Sequence, residues 1–188
     1  MNKLELKNII SEEKLIYLGK TSKNIIPMIK SKHKRYYIFK YLYYFRYCQF
    51  YHNKRICKGV SRIERVFSKY MFRFYDRKKN VYSYKAGVEI GLDCCIGRCC
   101  NIWHSGVVIN GNIGDYCVFH GNNIIGNKGY GKEDLRPEIG NFVDVGAGAI
   151  VIGDVMIADR CKVGAGAVVT KSFSVLESTI IGVPGHTI

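Results

Sequence analysis

In the second half of the chain, aliphatic or aromatic residues recur every sixth position. They stand at Ile90, Ile96, Ile102 and Val108, then at Ile113, Phe119 and Ile125, and the frame resumes at Ile139, Val145, Val151, Ile157, Val163 and Val169. Glycine follows the aliphatic at Gly91, Gly97, Gly114, Gly126, Gly140, Gly146 and Gly164, with Ala158 in the same place. The fifth position of the unit is small: Cys94, Cys100, Cys117, Ala149, Cys161 and Ala167. A period of six suits neither a 3.6-residue helix nor a simply alternating strand, but it suits a chain that turns a corner every sixth residue. The pattern predicts a mainly β architecture, a parallel β-helix, with each aliphatic pointing inward onto its counterpart one coil along.

The first half is patterned differently. Ile38, Leu42 and Phe45 make one apolar stripe at helical spacing, and Ile56, Val60, Ile63, Phe67 and Tyr70 make a second. Both are expected to pack on each other or on the β-helix. Residues 1–84 therefore read as an α-helical region and 85–188 as the β-helix, with the textures changing near Val81 to Ala86. Between Asn127 and Pro137 the repeat is interrupted by a segment rich in glycine and charge, expected to be a loop excursion.

Charge sharpens the division. Of the formal net charge of +14, residues 1–80 contribute 21 Lys and Arg against 5 Asp and Glu, and the rest of the chain 8 against 10. Twelve of the fourteen tyrosines also precede Lys85. A basic surface of this kind suits anionic lipid, anionic polysaccharide or nucleic acid; without a nucleic-acid motif, nucleic acid ranks last and peripheral contact with an anionic membrane first. No run has the order of a signal peptide, and none approaches the ~20 apolar residues of a membrane span. The expectation is a cytoplasmic protein, at the inner membrane face if the basic helices bind lipid.

Eight cysteines raise the question of a disulfide scaffold or a zinc site. Cys94, Cys100, Cys117 and Cys161 occupy the slot where a small apolar residue is wanted, which favours packing. Cys95 and Cys99 fall outside the slot and are expected to face outward, so neighbouring thiols diverge and no metal is expected.

The repeats, the segment Val163 to Lys171 and the closing Ile181-Gly182-Val183-Pro184-Gly185 resemble the hexapeptide acyltransferase superfamily over about residues 86–188. Gly87-Val88-Glu89-Ile90, the segment Ile102 to Ile109 and the upstream Tyr44-Phe45-Arg46-Tyr47 are similar to the serine acetyltransferase branch with its saccharide-modifying relatives. The resemblance implies a left-handed β-helix, a homotrimer with sites between subunits, and acetyl-CoA as co-substrate. It implies that His104 is the general base and Glu89 the carboxylate that orients it, although the pattern usually has Asp there. It also carries Ala147 and Ala165 onto the pantetheine arm and Thr170 and Lys171 onto the CoA phosphates, with His186 where relatives often have arginine.

The acceptor divides the readings. The resemblance implies an aspartate just before the base and an Arg-His pair before the loop proline for gripping serine, whereas this chain has Trp103 and Leu135-Arg136. Tryptophan beside the base suits a stacked sugar ring, so a saccharide acceptor is the leading expectation, in surface-polysaccharide synthesis, with L-serine second. Trp103, Arg136 and His120 are the expected acceptor-lining residues. A non-catalytic basic scaffold is the alternative from another class; a γ-type carbonic anhydrase would need three histidines, and the repeats supply His104 and His120 alone.

Overall fold

The computed structural model describes residues 2–19, 27, 31, 33–129, 131 and 134–188. The chain divides into two compact units, Met1–Ala86 and Gly87–Ile188.

The first unit is built from three helices among its described residues, α1 (Lys3–Leu18), α2 (Lys34–Ile56) and α3 (Arg62–Ala86). Asn2 begins α1 with a capping box, its side chain accepting from the Leu4 and Glu5 amides while Glu5 accepts from Asn2. Ile38, Leu42 and Phe45 are fully buried, as the first stripe predicts. The second stripe is corrected by the structure. Helix α2 ends at Ile56, Cys57 is extended and Gly59 has φ +92°, so Ile56 and Val60 do not share a helix with Ile63. On α3 the face towards α2 carries Tyr75 and Tyr82, whose rings meet Tyr47 and Tyr44 at 4.7 and 5.2 Å. Ile63 and Tyr70 are consequently 83% and 65% exposed. Between α1 and α2, Arg46 pairs with Glu13 at 2.7 Å, both buried. No helix among the described residues is long and apolar enough to cross a membrane.

The second unit is a parallel coil of short strands on three faces. The first sheet stacks β1 (Val88–Ile90), β3 (Val107–Ile109), β6 (Ile124–Gly126), β9 (Ile150–Ile152) and β12 (Val168–Val169). The second stacks β4 (Asn112–Ile113), β7 (Glu138–Ile139) and β10 (Met156–Ile157), extended by bridges from Ile96 and Phe173. The third stacks β2 (Asn101–Ile102), β5 (Val118–Phe119), β8 (Asp144–Val145), β11 (Lys162–Val163) and β13 (Thr179–Ile181), closed by antiparallel β14 (His186–Thr187). The register puts Ile102 on Phe119, Phe119 on Val145 and Val145 on Val163, so the sixfold aliphatics stack into one interior column per face. Cys94, Cys100, Cys117 and Cys161 are buried in the small slot.

Two inward and outward assignments change. Val108 is 41% exposed, while Val107 and Ile109 point inward. Ile109 lies seven positions after Ile102 where Ile125 lies six after Phe119, so the frame slips by one at the intervening corner. Cys99 is buried although the frame predicts it outside. It is the pivot of the corner between the second and third sheets, with φ +59°, and Tyr116, Phe142, Arg160 and Glu177 repeat that conformation. The Tyr116 amide bonds the Arg98 carbonyl at 2.9 Å, so Tyr116 lies next along this edge. The same edge is tied by side-chain caps: the Arg98 amide donates to Asp115, the Asp115 amide to Asn141 and the Asn141 amide to Asp159, at 2.8 to 2.9 Å. The interruption runs from the end of β6 to the start of β7; residues 130, 132 and 133 of the expected loop excursion lie outside the described residues.

Candidate active site at one edge of the β-helix

The corner that slips the frame is Trp103-His104-Ser105-Gly106, joining the third sheet to the first. Its backbone is held on both sides. The Gly106 amide donates to the Gly87 carbonyl at 2.7 Å, and the Ser105 carbonyl accepts from the Asn122 amide at 3.0 Å. One coil on, Gly121 lies directly against His104: a Cβ added there would stand 2.7 Å from the His104 Cβ. Gly121 also has φ +118°, a conformation open to glycine alone. Asn123 fixes this support from inside. Fully buried, it accepts from the Gly121 amide at 2.9 Å and donates to the Gly146 carbonyl at 2.7 Å.

The edge continues as a column of small residues. The Gly148 amide bonds the Gly121 carbonyl and the Gly166 amide bonds the Ala147 carbonyl, both at 2.9 Å. Thus His104, Gly121, Ala147 and Ala165 succeed one another at the coil spacing of about 4.8 Å. Ala147 and Ala165 are exposed, and a Cβ built on Gly148 or Gly166 meets nothing within 4 Å. An exposed imidazole therefore heads an open, side-chain-poor track along which a long, thin ligand can approach backbone closely.

Glu89 stands outward on β1, paired in register with Val108. Among the described residues no hydrogen bond or ion pair joins it to His104. The imidazole with a carboxylate partner is instead His120, whose Nε2 lies 2.7 Å from Asp144 Oδ1. The Trp103 indole packs on the His120 ring at 4.5 Å. Trp103, His104 and His120 are thus gathered at one edge, and Asp144 joins them without having been singled out in the sequence. Its signal was available: the sixfold frame puts Asp144 on the outward position of the coil next to His120.

Other expected residues lie elsewhere. Arg136 approaches Cys94 at 4.0 Å, at the corner between the first and second sheets; burial pushes the Cys94 thiol up, and the guanidinium opposes this. Thr170 and Lys171 follow β12 at the same corner, with the Lys171 ammonium 5.5 Å from the Phe173 ring centroid. The first sheet, with Glu89 on its outer face, separates these residues from the His104 edge. His186 is exposed on β14, its Nδ1 3.5 Å from the Pro184 carbonyl. Among the described residues no group of three or more His, Cys, Asp or Glu is placed to hold a metal ion.

Residues 136–171 match the family model described as bacterial transferase hexapeptide (six repeats). A serine acetyltransferase of Synechococcus elongatus is 36% identical over 105 residues, covering 54% of this chain and 43% of the relative. One from Staphylococcus aureus is 32% identical over 127 residues, covering 62% and 59%. This chain thus spans about half the length of the curated relatives it matches. Among solved structures, serine acetyltransferase from Neisseria gonorrhoeae superposes with a TM-score of 0.70 at 19% identity, over 99% of this chain and 67% of that one. Serine acetyltransferase from Brucella abortus, solved in complex with coenzyme A, gives 0.66 at 18%, over 99% and 68%. At such identities the likeness establishes the fold: helices followed by a left-handed parallel β-helix of hexapeptide repeats.

Proposed function

We propose that the protein is an acetyl-CoA-dependent O-acetyltransferase with His104 as its general base. The observation that carries this reading is the position of His104 at the head of the open Ala147–Ala165 track. A neutral alcohol is a poor nucleophile, so transfer needs a base as the new bond forms. His104 takes the proton of the acceptor hydroxyl, and the oxygen attacks the thioester carbonyl carbon. The carbon–sulfur bond then breaks, and the departing thiolate recovers the proton from the imidazolium. Glu89 is assigned the orienting carboxylate, Ala147 and Ala165 the pantetheine contacts, and Thr170, Lys171 and His186 the phosphate end of CoA. Since Thr170, Lys171 and Arg136 lie across the first sheet from His104, a homotrimer with sites between copies accommodates the assignment.

For the acceptor, the names of the curated relatives favour L-serine over the saccharide expected from Trp103. A sugar remains the second reading, on the single observation that the indole is 45% exposed beside the base. The cationic surplus of the helical unit supports a cytoplasmic enzyme in peripheral contact with an anionic membrane at its inner face; co-sedimentation with anionic but not neutral vesicles is the expected outcome.

The test of the activity is thiol release from acetyl-CoA across L-serine and a sugar panel. His104→Ala is expected to abolish release while oligomeric state and CoA affinity persist. Equal turnover in the variant removes His104 from the mechanism, and absence of release with every acceptor favours the non-catalytic scaffold.

A further inference from the structure

A free amino acid such as L-serine brings an ammonium group that needs an anionic or π-rich partner. The position immediately before the base, where the resemblance calls for an aspartate, is occupied by Trp103. The structure supplies the negative charge from another strand. Asp144, outward on β8, holds His120 Nε2 at 2.7 Å, and the indole of Trp103 lies 4.5 Å from the same imidazole. The histidine and aspartate side chains are 30% and 45% exposed, so both are reachable by solute. His120 and Trp103 are the immediate chain neighbours of Gly121 and His104, the pair whose Cβ positions nearly touch. The cluster therefore borders the proposed base directly.

We infer that Trp103, His120 and Asp144 form a box for the ammonium group of a small amino-alcohol acceptor. This rests on the L-serine reading above and deepens it. With Nε2–H donating to the carboxylate, His120 Nδ1 offers a lone pair to an N–H donor. Asp144 places a full negative charge behind that ring, and the indole face attracts a cation within about 6 Å. Lys162 is the cross-strand neighbour of Asp144, yet among the described residues the ion pair Asp144 makes within 4 Å is with His120. Asp144 acts through His120 as a positioning residue, and Trp103 and His120 touch the ligand.

Two readouts on the full-length protein test the box. In steady-state assays with L-serine and with 3-hydroxypropionate, its analogue without the amine, Asp144→Asn is expected to raise the L-serine KM about tenfold or more. Its kcat, and both constants for 3-hydroxypropionate, should stay within about twofold, and Asp144→Glu should restore much of the loss. Independently of turnover, the imidazole resonances of His120 in isotopically labelled protein, assigned by their loss in His120→Gln, should shift on titration with L-serine and not with 3-hydroxypropionate. Trp103→Leu should weaken that response. Resonances unmoved by saturating L-serine, or equal KM effects on both compounds, overturn the box. A His120 response without thiol release leaves the box standing and overturns the acetyl-transfer reading instead.

Discussion

Gly121→Ala tests whether the edge beneath His104 sets the reactive geometry. Residue 121 has φ +118°, a region that costs a residue with a side chain about 1–3 kcal/mol. The new methyl would lie 2.7 Å from the His104 Cβ and 3.2 Å from the Ser105 carbonyl oxygen. Carbon atoms rest at about 3.5–4.0 Å, so the corner must yield by roughly 1 Å. Overpacking of this kind adds about 1–3 kcal/mol. For a chain of this size each kcal/mol lowers Tm by about 2–4 °C, giving an expected fall of roughly 5–20 °C. Displacing a catalytic group by about 1 Å can cost on the order of a hundredfold in rate, so kcat for thiol release should fall by that order at temperatures where the variant is folded. Gly59→Ala is the control: its φ is +92°, but an added Cβ there meets nothing within 4 Å. It should lose a few degrees of Tm and keep its kcat. A folded Gly121→Ala variant with wild-type kcat refutes the argument that this contact places His104.

The helical unit and the cysteines give further outcomes. Burial pushes the Glu13 carboxyl above its ordinary value of 4.5 and Arg46 opposes the shift, so Arg46→Met raises it further. With the folded value above the unfolded one, Glu13's contribution is complete below about pH 4.5 and is lost as pH rises through the folded value. Arg46→Met should therefore cost about 3–5 kcal/mol near neutrality, with the deficit shrinking in acid; a Tm deficit independent of pH contradicts the buried pair. In a thiol titration of the native protein, Cys57 and Cys95 are exposed and should react quickly. The other six are buried, with Cys48 pushed up to about 12 and Cys117 to about 11 by desolvation, and should stay silent until denaturant is added. A third fast thiol would contradict the burial of these six.

What the sequence disclosed depended on whether the information was periodic. Inward positions of the β-helix were legible because each coil repeats the same demand, an aliphatic at the corner and a small residue four places on. Ile38, Leu42 and Phe45 were legible for a similar reason. The stripe from Ile56 to Tyr70 misled because α3 carries apolar residues around much of its circumference, and spacing cannot say which side meets α2. The Glu13–Arg46 pair joins two helices across 33 positions, where spacing within a helix says nothing, whereas the sixfold frame brings Asp144 next to His120, 24 positions on, without marking the two as a pair. Val108 is the most informative failure. Its misplacement follows from one additional residue between Ile102 and Ile109, and the corner that holds it contains Trp103 and His104. A regular coil buries its aliphatics and turns each corner along the same path. An extra residue lets the corner leave the regular path and present an indole and an imidazole side by side, with Gly121 and Asn123 adapted beneath it. The break in the pattern that cost the frame one assignment is thus the physical mark of the candidate site.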